Sequence, residues 1–337
     1  MKVTFLGAGS WGTALAIMLA KNGHEVKLWS AVQSEIDMLQ TYREHKNRLP
    51  GVKLPDSIEV TGDLEFALKG DKGPDFVVFA VASPFVRATA KKAAVLISEG
   101  QIVVNVAKGL EDSTLKSLCT CIKEEIPQAK TAVLSGPSHA EEVSIGMPTT
   151  VVSASDDQET AEKVQDLFMN ERFRVYSSPD MVGVELGGAI KNVIALAAGI
   201  IDGLGYQDNT KASLMTRGIN EISCLGVKMG GKMETFFGLS GIGDLIVTCT
   251  STHSRNHNAG FLIGQGKSLE EALEEIGQVV EGVNTAKAAE ALADKYNVSM
   301  PIVTAINDVL FRGKEVKQAV FDLYTRDKKE EYPTLTW

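Results

Sequence analysis

A chain of 337 residues, 44% hydrophobic and 23% charged, is about twice the length of a typical domain of roughly 150 residues and carries enough apolar material for two cores. Its formal charge of −9 excludes broad electrostatic attachment to nucleic acid or an anionic membrane, both of which need clustered Lys and Arg, so an anionic ligand must be held locally. Four cysteines, Cys119, Cys121, Cys224 and Cys249, lack paired zinc-type spacing and are expected to be reduced thiols of a cytoplasmic protein.

The chain opens on an apolar run that stops at Gly7 after four residues, which fits a strand rather than an export signal. From there the first half alternates β-rich runs with helical stretches, the pattern of a parallel sheet covered on both faces. Strands are expected at 2–6, 25–29, 76–80, 102–106, 130–134, 149–153 and 174–176, the later ones free to pair antiparallel at an edge. Beyond Ser178 the β signal disappears. Residues 181–203 read as one long apolar helix, started by Pro179-Asp180 and closed by Gly203 and Gly205. Further helices are expected at 209–229, 241–248, 255–264, 269–276, 285–296, 302–311 and 316–323, with 327–331 as a solvated tail. The longest helical apolar stretch, 193–201, is shorter than the ~20 residues that span a bilayer, so no membrane insertion is expected.

Gly7-Ala8-Gly9-Ser10-Trp11-Gly12 follows the first strand directly and opens a helix. In that context each glycine has a distinct purpose. Gly7 permits the tight turn, Gly9 lets backbone approach a pyrophosphate closely, and Gly12 lets the helix touch the strand. The free amides of the helix start would meet the anion. The fold class is therefore α/β, a Rossmann-type, largely parallel sheet over residues 1–178 followed by an all-α region over 179–337, with NAD(H) or NADP(H) as coenzyme. Where such folds carry a ribose-binding acid at the end of the second strand, this chain has Ser30-Ala31-Val32-Gln33. Neither a carboxylate nor an Arg is present there, so coenzyme preference stays open, with Ser30, Gln33 and Ser34 as polar contacts.

Ligands of open α/β sheets collect beyond the carboxyl ends of the strands. Ala107-Lys108-Gly109 and Ser135-Gly136-Pro137-Ser138-His139-Ala140 both follow strands and reach that edge. Lys191 is the only basic residue in the long apolar helix, with Asn192 beside it. It reads either as a lysine snorkelling on a wet face or as one desolvated at the seam between the two halves, its pKa lowered so that it can pass a proton. Asp244 opens another glycine-punctuated helix and is suited to pair with Lys191 or to hold a substrate hydroxyl. Arg255, after Ser254 and before Asn256 at a further helix start, is suited to fork two phosphate oxygens. His253 and His257 have helical spacing but no third ligand, and no metal is expected.

Together these segments, with Gly187-Gly188-Ala189-Ile190-Lys191-Asn192, Gly243-Asp244-Leu245 and Ser254-Arg255-Asn256, resemble the bacterial NAD(P)-dependent sn-glycerol-3-phosphate dehydrogenases from residue 1 to about 322. The resemblance implies interconversion of dihydroxyacetone phosphate and sn-glycerol 3-phosphate, supplying phospholipid backbones. It implies Lys191 as proton donor and acceptor, with Lys108 touching substrate and coenzyme and Asp244 completing the catalytic group. Gly136, Ser138, Ser254, Arg255 and Asn256 would surround the substrate, helped by Asn192 and Thr248. Ser10, Trp11, Ala140, Arg255, Val279 and Glu281 would line the coenzyme site beside Gly7, Gly9 and Gly12. Many relatives carry an Arg in the second-strand loop where this chain has Ala31-Val32, which argues against a strong NADP preference, although Arg48 is placed to reach the adenosine end. A homodimer is left open.

Two other readings compete. A β-hydroxyacid or 6-phosphogluconate dehydrogenase would share both halves but gives no reason for Ser254-Arg255-Asn256. A non-catalytic dinucleotide sensor gives no reason for Lys108, Lys191, Asp244 and Arg255.

Overall fold

The structure, a computed structural model, describes residues 1–70 and 73–331. Among the described residues ten strands form: β1 (Lys2–Leu6), β2 (Glu25–Trp29), β3 (Glu59–Thr61), β4 (Phe76–Phe79), β5 (Ile102–Asn105), β6 (Leu110–Glu111), β7 (Lys116–Ser117), β8 (Lys130–Ser135), β9 (Thr149–Ser155) and β10 (Phe173–Ser178). Eight of them make one sheet in the order β10-β9-β8-β5-β4-β1-β2-β3, while β6 and β7 pair as a small hairpin. All seven strands expected from sequence are present. The additional β3 is three residues with one apolar side chain, and β6 and β7 are two residues each, too short to show a period.

Alternate residues of the central strands feed two cores, as a period of two requires. Val3, Phe5, Val78 and Val104 pack on one face with Ala14, Leu15 and Leu19 of the Ser10–Lys21 helix. Leu6, Val77, Phe79 and Val103 pack on the other with Ala90 and Ile122. Both faces are covered, which is why these strands read as continuous apolar runs. Every pairing in the sheet is parallel except β8 with β9. The expected antiparallel edge is therefore a single reversal: β9 and β10 run together against the other six, and the chain leaves the sheet at its amino-terminal edge.

The helical half is built around the Met181–Gly203 helix, whose bounds match the sequence reading. Asp180 caps it, accepting from the Gly183 amide at 2.9 Å. Contrary to the expectation drawn from 193–201, this helix is long and apolar enough to cross a bilayer by length and composition, yet its apolar window lies entirely inside the protein. It is a core helix, packed with Ile222, Leu225, Leu245 and Ile263. The Arg255–Gly264 helix crosses it backbone to backbone: a Cβ on Gly199 would stand 1.9 Å from the His257 carbonyl oxygen, and one on Gly260 2.1 Å from that of Leu196.

Other helices fall close to expectation, at Asp208–Lys228, Leu269–Ile276, Pro301–Phe311 and Val316–Tyr324. Two differ. The helix expected at 285–296 begins at Glu281, because Gly282 is kept for packing rather than as a breaker, its would-be Cβ lying 2.5 Å from the Asn192 carbonyl oxygen. The helix expected at 241–248 is a π-turn over Leu239–Gly243 followed by an α-helix over Asp244–Thr250. Residues 327–331 are exposed and lack regular structure.

Candidate active site

The turn after β1 has the shape its glycines imply. Gly7 takes φ +119°, and a Cβ there would stand 2.5 Å from the Val81 nitrogen; a Cβ on Gly12 would stand 2.4 Å from the Gly7 carbonyl oxygen. Above Gly9 the first atom met is Arg48 Nη1, 3.6 Å from a would-be Cβ. The pyrophosphate-sized approach is thus open, with the Ser10–Lys21 helix start behind it and no acidic residue in that helix's first turn. Trp11 Nε1 is buried without a hydrogen-bond partner among the described residues, and Ala140 is buried at the start of the facing Ala140–Ser144 helix. These features fit a dinucleotide.

The end of β2 corrects the sequence reading. A carboxylate does reach it, from Glu35 on the following helix: Ser30 Oγ donates to Glu35 at 2.6 Å, and Arg48 Nη2 donates at 2.9 Å. Ser30 also accepts from the Val32 amide, so its hydroxyl is committed and does not serve as an open contact. Gln33 is tied to Asp37, and Ser34 is exposed. Arg48, braced by Glu35, is the cation that faces the turn. The signal missed was distance along the chain, since Glu35 lies five residues beyond Ser30.

Opposite the turn, three charged side chains converge. Lys191 Nζ, 4% exposed in the middle of its helix, donates to Asp244 Oδ1 and to Thr248 Oγ1, the latter at 2.6 Å. Lys108 Nζ donates to the other Asp244 oxygen at 2.7 Å and to the Gly136 carbonyl at 2.8 Å. The snorkelling reading of Lys191 is therefore excluded. Burial lowers its pKa, the Asp244 charge opposes that shift and the Lys108 charge adds to it, leaving the group at about 8. Two ammonium groups share one carboxylate, so the site keeps a positive charge.

Local structure explains each position. Asp244 follows the π-turn, closed by the Gly243 amide donating to the Gly238 carbonyl; a π-turn re-aims side chains within a helix. Thr248 Oγ1 donates to the Asp244 carbonyl at 2.6 Å, leaving its lone pairs for Lys191. Gly136, at φ +149° with Val151 Cα 2.9 Å from its would-be Cβ, turns its carbonyl to Lys108 and also accepts from Ser138 Oγ at 2.9 Å. Asn105, missed in the sequence, is fully buried and brackets the Ala107 backbone with both amide atoms, fixing the turn that carries Lys108.

The remaining expected residues are brought near but are partly spent on one another. Asn256 Nδ2 donates to Asn192 Oδ1 at 3.0 Å while its own oxygen accepts from the Gly282 amide. These two side chains act as struts between helices. Ser254 caps its helix, accepting from the His257 amide. Arg255 Nη1 donates to the Val279 carbonyl at 3.0 Å, and the residue is exposed. Glu281, pushed up by burial, accepts from the amide and hydroxyl of Ser83, a residue sequence reasoning did not single out. The two histidines do not converge: His257 pairs with Asp202 at 2.8 Å, whereas His253 stacks near His139. No group of three candidate metal ligands occurs among the described residues.

A dinucleotide-binding turn on a parallel sheet, joined to a helical half that carries a buried lysine of lowered pKa, is the arrangement of a nicotinamide-dependent oxidoreductase. The family descriptions "NAD-dependent glycerol-3-phosphate dehydrogenase N-terminus" and "C-terminus" match residues 2–161 and 180–321. The chain belongs to the NAD-dependent glycerol-3-phosphate dehydrogenase family. It is 59% identical over 336 residues to a glycerol-3-phosphate dehydrogenase, NAD(P)+, of Agathobacter rectalis, covering 100% of this chain and 99% of the relative. A Fusobacterium nucleatum protein of the same description is 53% identical over 98% of each chain. The crystal structure of glycerol-3-phosphate dehydrogenase from Coxiella burnetii superposes with a TM-score of 0.93 at 37% identity, over 96% of this chain and 99% of that one.

Proposed function

We propose that this enzyme interconverts dihydroxyacetone phosphate and sn-glycerol 3-phosphate with NAD(P)H or NAD(P)+, Lys191 carrying the proton. The observation that supports this most is the buried Lys191–Asp244–Lys108 cluster opposite the coenzyme turn. When bound, the reduced nicotinamide supplies a hydride to the C2 carbonyl carbon. Lys191 Nζ gives its proton to the C2 oxygen, completing the alcohol; in the oxidative direction neutral Lys191 removes that proton. Asp244 holds both ammonium groups in place, and Lys108 steadies negative charge developing on oxygen. Gly136, Ser138 and Thr248 line the reacting end. Ser254, Arg255 and Asn256 surround the phosphate at a helix start, while Ser10, Trp11, Arg48, Ala140, Val279 and Glu281 line the coenzyme.

Residues 1–178 serve as the dinucleotide-binding domain and 179–337 as the substrate domain, a division supported by β10 ending at Ser178 and the central helix starting at Met181; 332–337 lie outside the described residues. The product supplies phospholipid synthesis. Four unpaired cysteines accord with a reducing cytoplasmic setting. A homodimer without membrane insertion is the assembly to test by light scattering.

The deciding assay follows coenzyme absorbance with a panel of dihydroxyacetone phosphate, 3-hydroxyacids and 6-phosphogluconate, using NAD(H) and NADP(H) in turn. Turnover is expected with the triose phosphate alone, and Lys191→Met should lower kcat on the order of 10²–10⁴-fold. Full activity in that variant would move the proton to another group.

A further inference from the structure

Ser83 lies in the turn that leaves β4 and is buried, with 4% of it exposed. The strand order puts this turn at the switch point of the sheet, since β2 and β4 flank β1 on opposite sides, and ligands of open α/β sheets collect in that crevice. Contacts agree with the topology. A Cβ on Gly7 would stand 2.5 Å from the Val81 nitrogen, and one on Gly12 2.8 Å from Ala80 Cβ, so the start of the β4 turn packs on the dinucleotide turn. Its end touches the other side of the site: a Cβ on Gly109, next to Lys108, would stand 2.7 Å from Ser83 Cβ. From this junction Ser83 reaches the helical half twice, its amide donating to Glu281 Oε1 at 3.1 Å and its hydroxyl donating to Glu281 Oε2. The segment that carries Glu281 is tied to the Arg255–Gly264 helix as well. The Val279 carbonyl accepts from Arg255, and the Gly282 amide donates to Asn256. The β4 turn, the Lys108 turn and the 279–282 segment thus meet at one carboxylate.

We propose that Ser83 is a positioning residue for the coenzyme: by engaging both oxygens of Glu281 it clasps the 279–282 segment against the β4 turn, and the clasp slows departure of the bound dinucleotide. It acts through Glu281 and rests on the Gly7–Gly12 turn being the coenzyme site. A serine suits the position, because its amide and hydroxyl offer two donors from one residue to the two oxygens of one carboxylate, and a two-pronged bond to a charged group fixes direction as well as distance. Both donors lie out of solvent, where such bonds are strongest.

The test is stopped-flow fluorescence of NADH, and of NADPH in parallel, with the native enzyme, Ser83→Ala, Glu281→Ala and the double variant. Ser83→Ala deletes the hydroxyl and keeps the amide. Its coenzyme dissociation rate should rise about ten-fold, the range expected for one hydrogen bond to a charged group, while the association rate stays close to native. In the Glu281→Ala background the same substitution should add almost nothing, because the hydroxyl has already lost its acceptor. An unchanged dissociation rate in Ser83→Ala overturns the proposal, and so does lower resistance to denaturant with native rates, which is all that a purely structural link would give. An equal rise in the absence of Glu281 also overturns it, since Ser83 would then touch the coenzyme itself. Native enzyme that binds neither coenzyme would instead overturn the coenzyme-site reading, a distinguishable result.

Discussion

In its proposed role, Lys191 must be charged to finish a reduction and uncharged to begin an oxidation. With the group at about 8, kcat for reduction should hold below pH 8 and fall above it, while kcat for oxidation should rise through the same range. Lys108 helps set that point, because its charge disfavours a second ammonium. Lys108→Met should therefore move the inflection to higher pH, read from kcat profiles in both directions at saturating substrates. An unmoved inflection would mean the two cations do not communicate. Arg255→Lys keeps the charge but loses the fork, so KM for the phosphorylated substrate should rise; a rise confined to the coenzyme would place the phosphate elsewhere. Lys191 was legible in sequence because one cation in a long apolar helix demands a partner. The Asn192–Asn256 bond was not, since nothing in two separated amides tells which acceptor each will find.

Elements carry their own tests. Gly199 is where the Arg255–Gly264 helix presses on the central one, so Gly199→Ala should force the helices apart. A loss of about 3 kcal/mol is expected, at the upper end for an overpacked core, measured by denaturant unfolding. Its kinetic signature should be a rise in both KM values, because Arg255 and Asn256 ride on the displaced helix. Glu221 offers a second case. It accepts from the Ile302 and Val303 amides at the start of the Pro301–Phe311 helix, and burial raises it from 4.5 to about 7. A folded carboxyl with a raised pKa holds its proton more tightly than the unfolded chain does. This one group therefore costs stability as pH climbs from about 4.5 to 7, on the order of 3 kcal/mol. Glu221→Gln should flatten that part of the stability profile, and an identical slope in the variant would discount the effect. Most long helices were legible from caps and period. The π-turn was not: it lies where Gly187 lets the central helix touch the Ser240 backbone, a contact between residues distant in sequence that no local pattern records.

Across the whole molecule, the two halves are held by a few polar links as well as by packing. Glu281 on Ser83 and Asp244 on Lys108 both cross from the helical half to the sheet half. A coenzyme gripped between Gly9 and Val279 should tighten the same seam. At 100-fold excess over Kd its binding contributes about 2.7 kcal/mol, enough to raise Tm by several degrees. Glu281→Ala should shrink that shift by weakening coenzyme binding, as followed by calorimetry with and without NADH; a full shift in the variant would show that this link does not serve the coenzyme. The sheet order was legible in outline, but which edge pair would run backwards depends on tertiary packing.

That backward pair sets a scale. The polypeptide quits β10 on the side of the sheet away from the nucleotide, and Lys191 lies ten residues into the helix that follows. At 1.5 Å per residue this is about 15 Å of climb, comparable to the ~20 Å height of a six-residue strand. The ammonium arrives at nucleotide level by counting. One residue inserted between positions 181 and 190 would swing it about 100° around the axis, off its carboxylate, although every side chain of the centre would still be there.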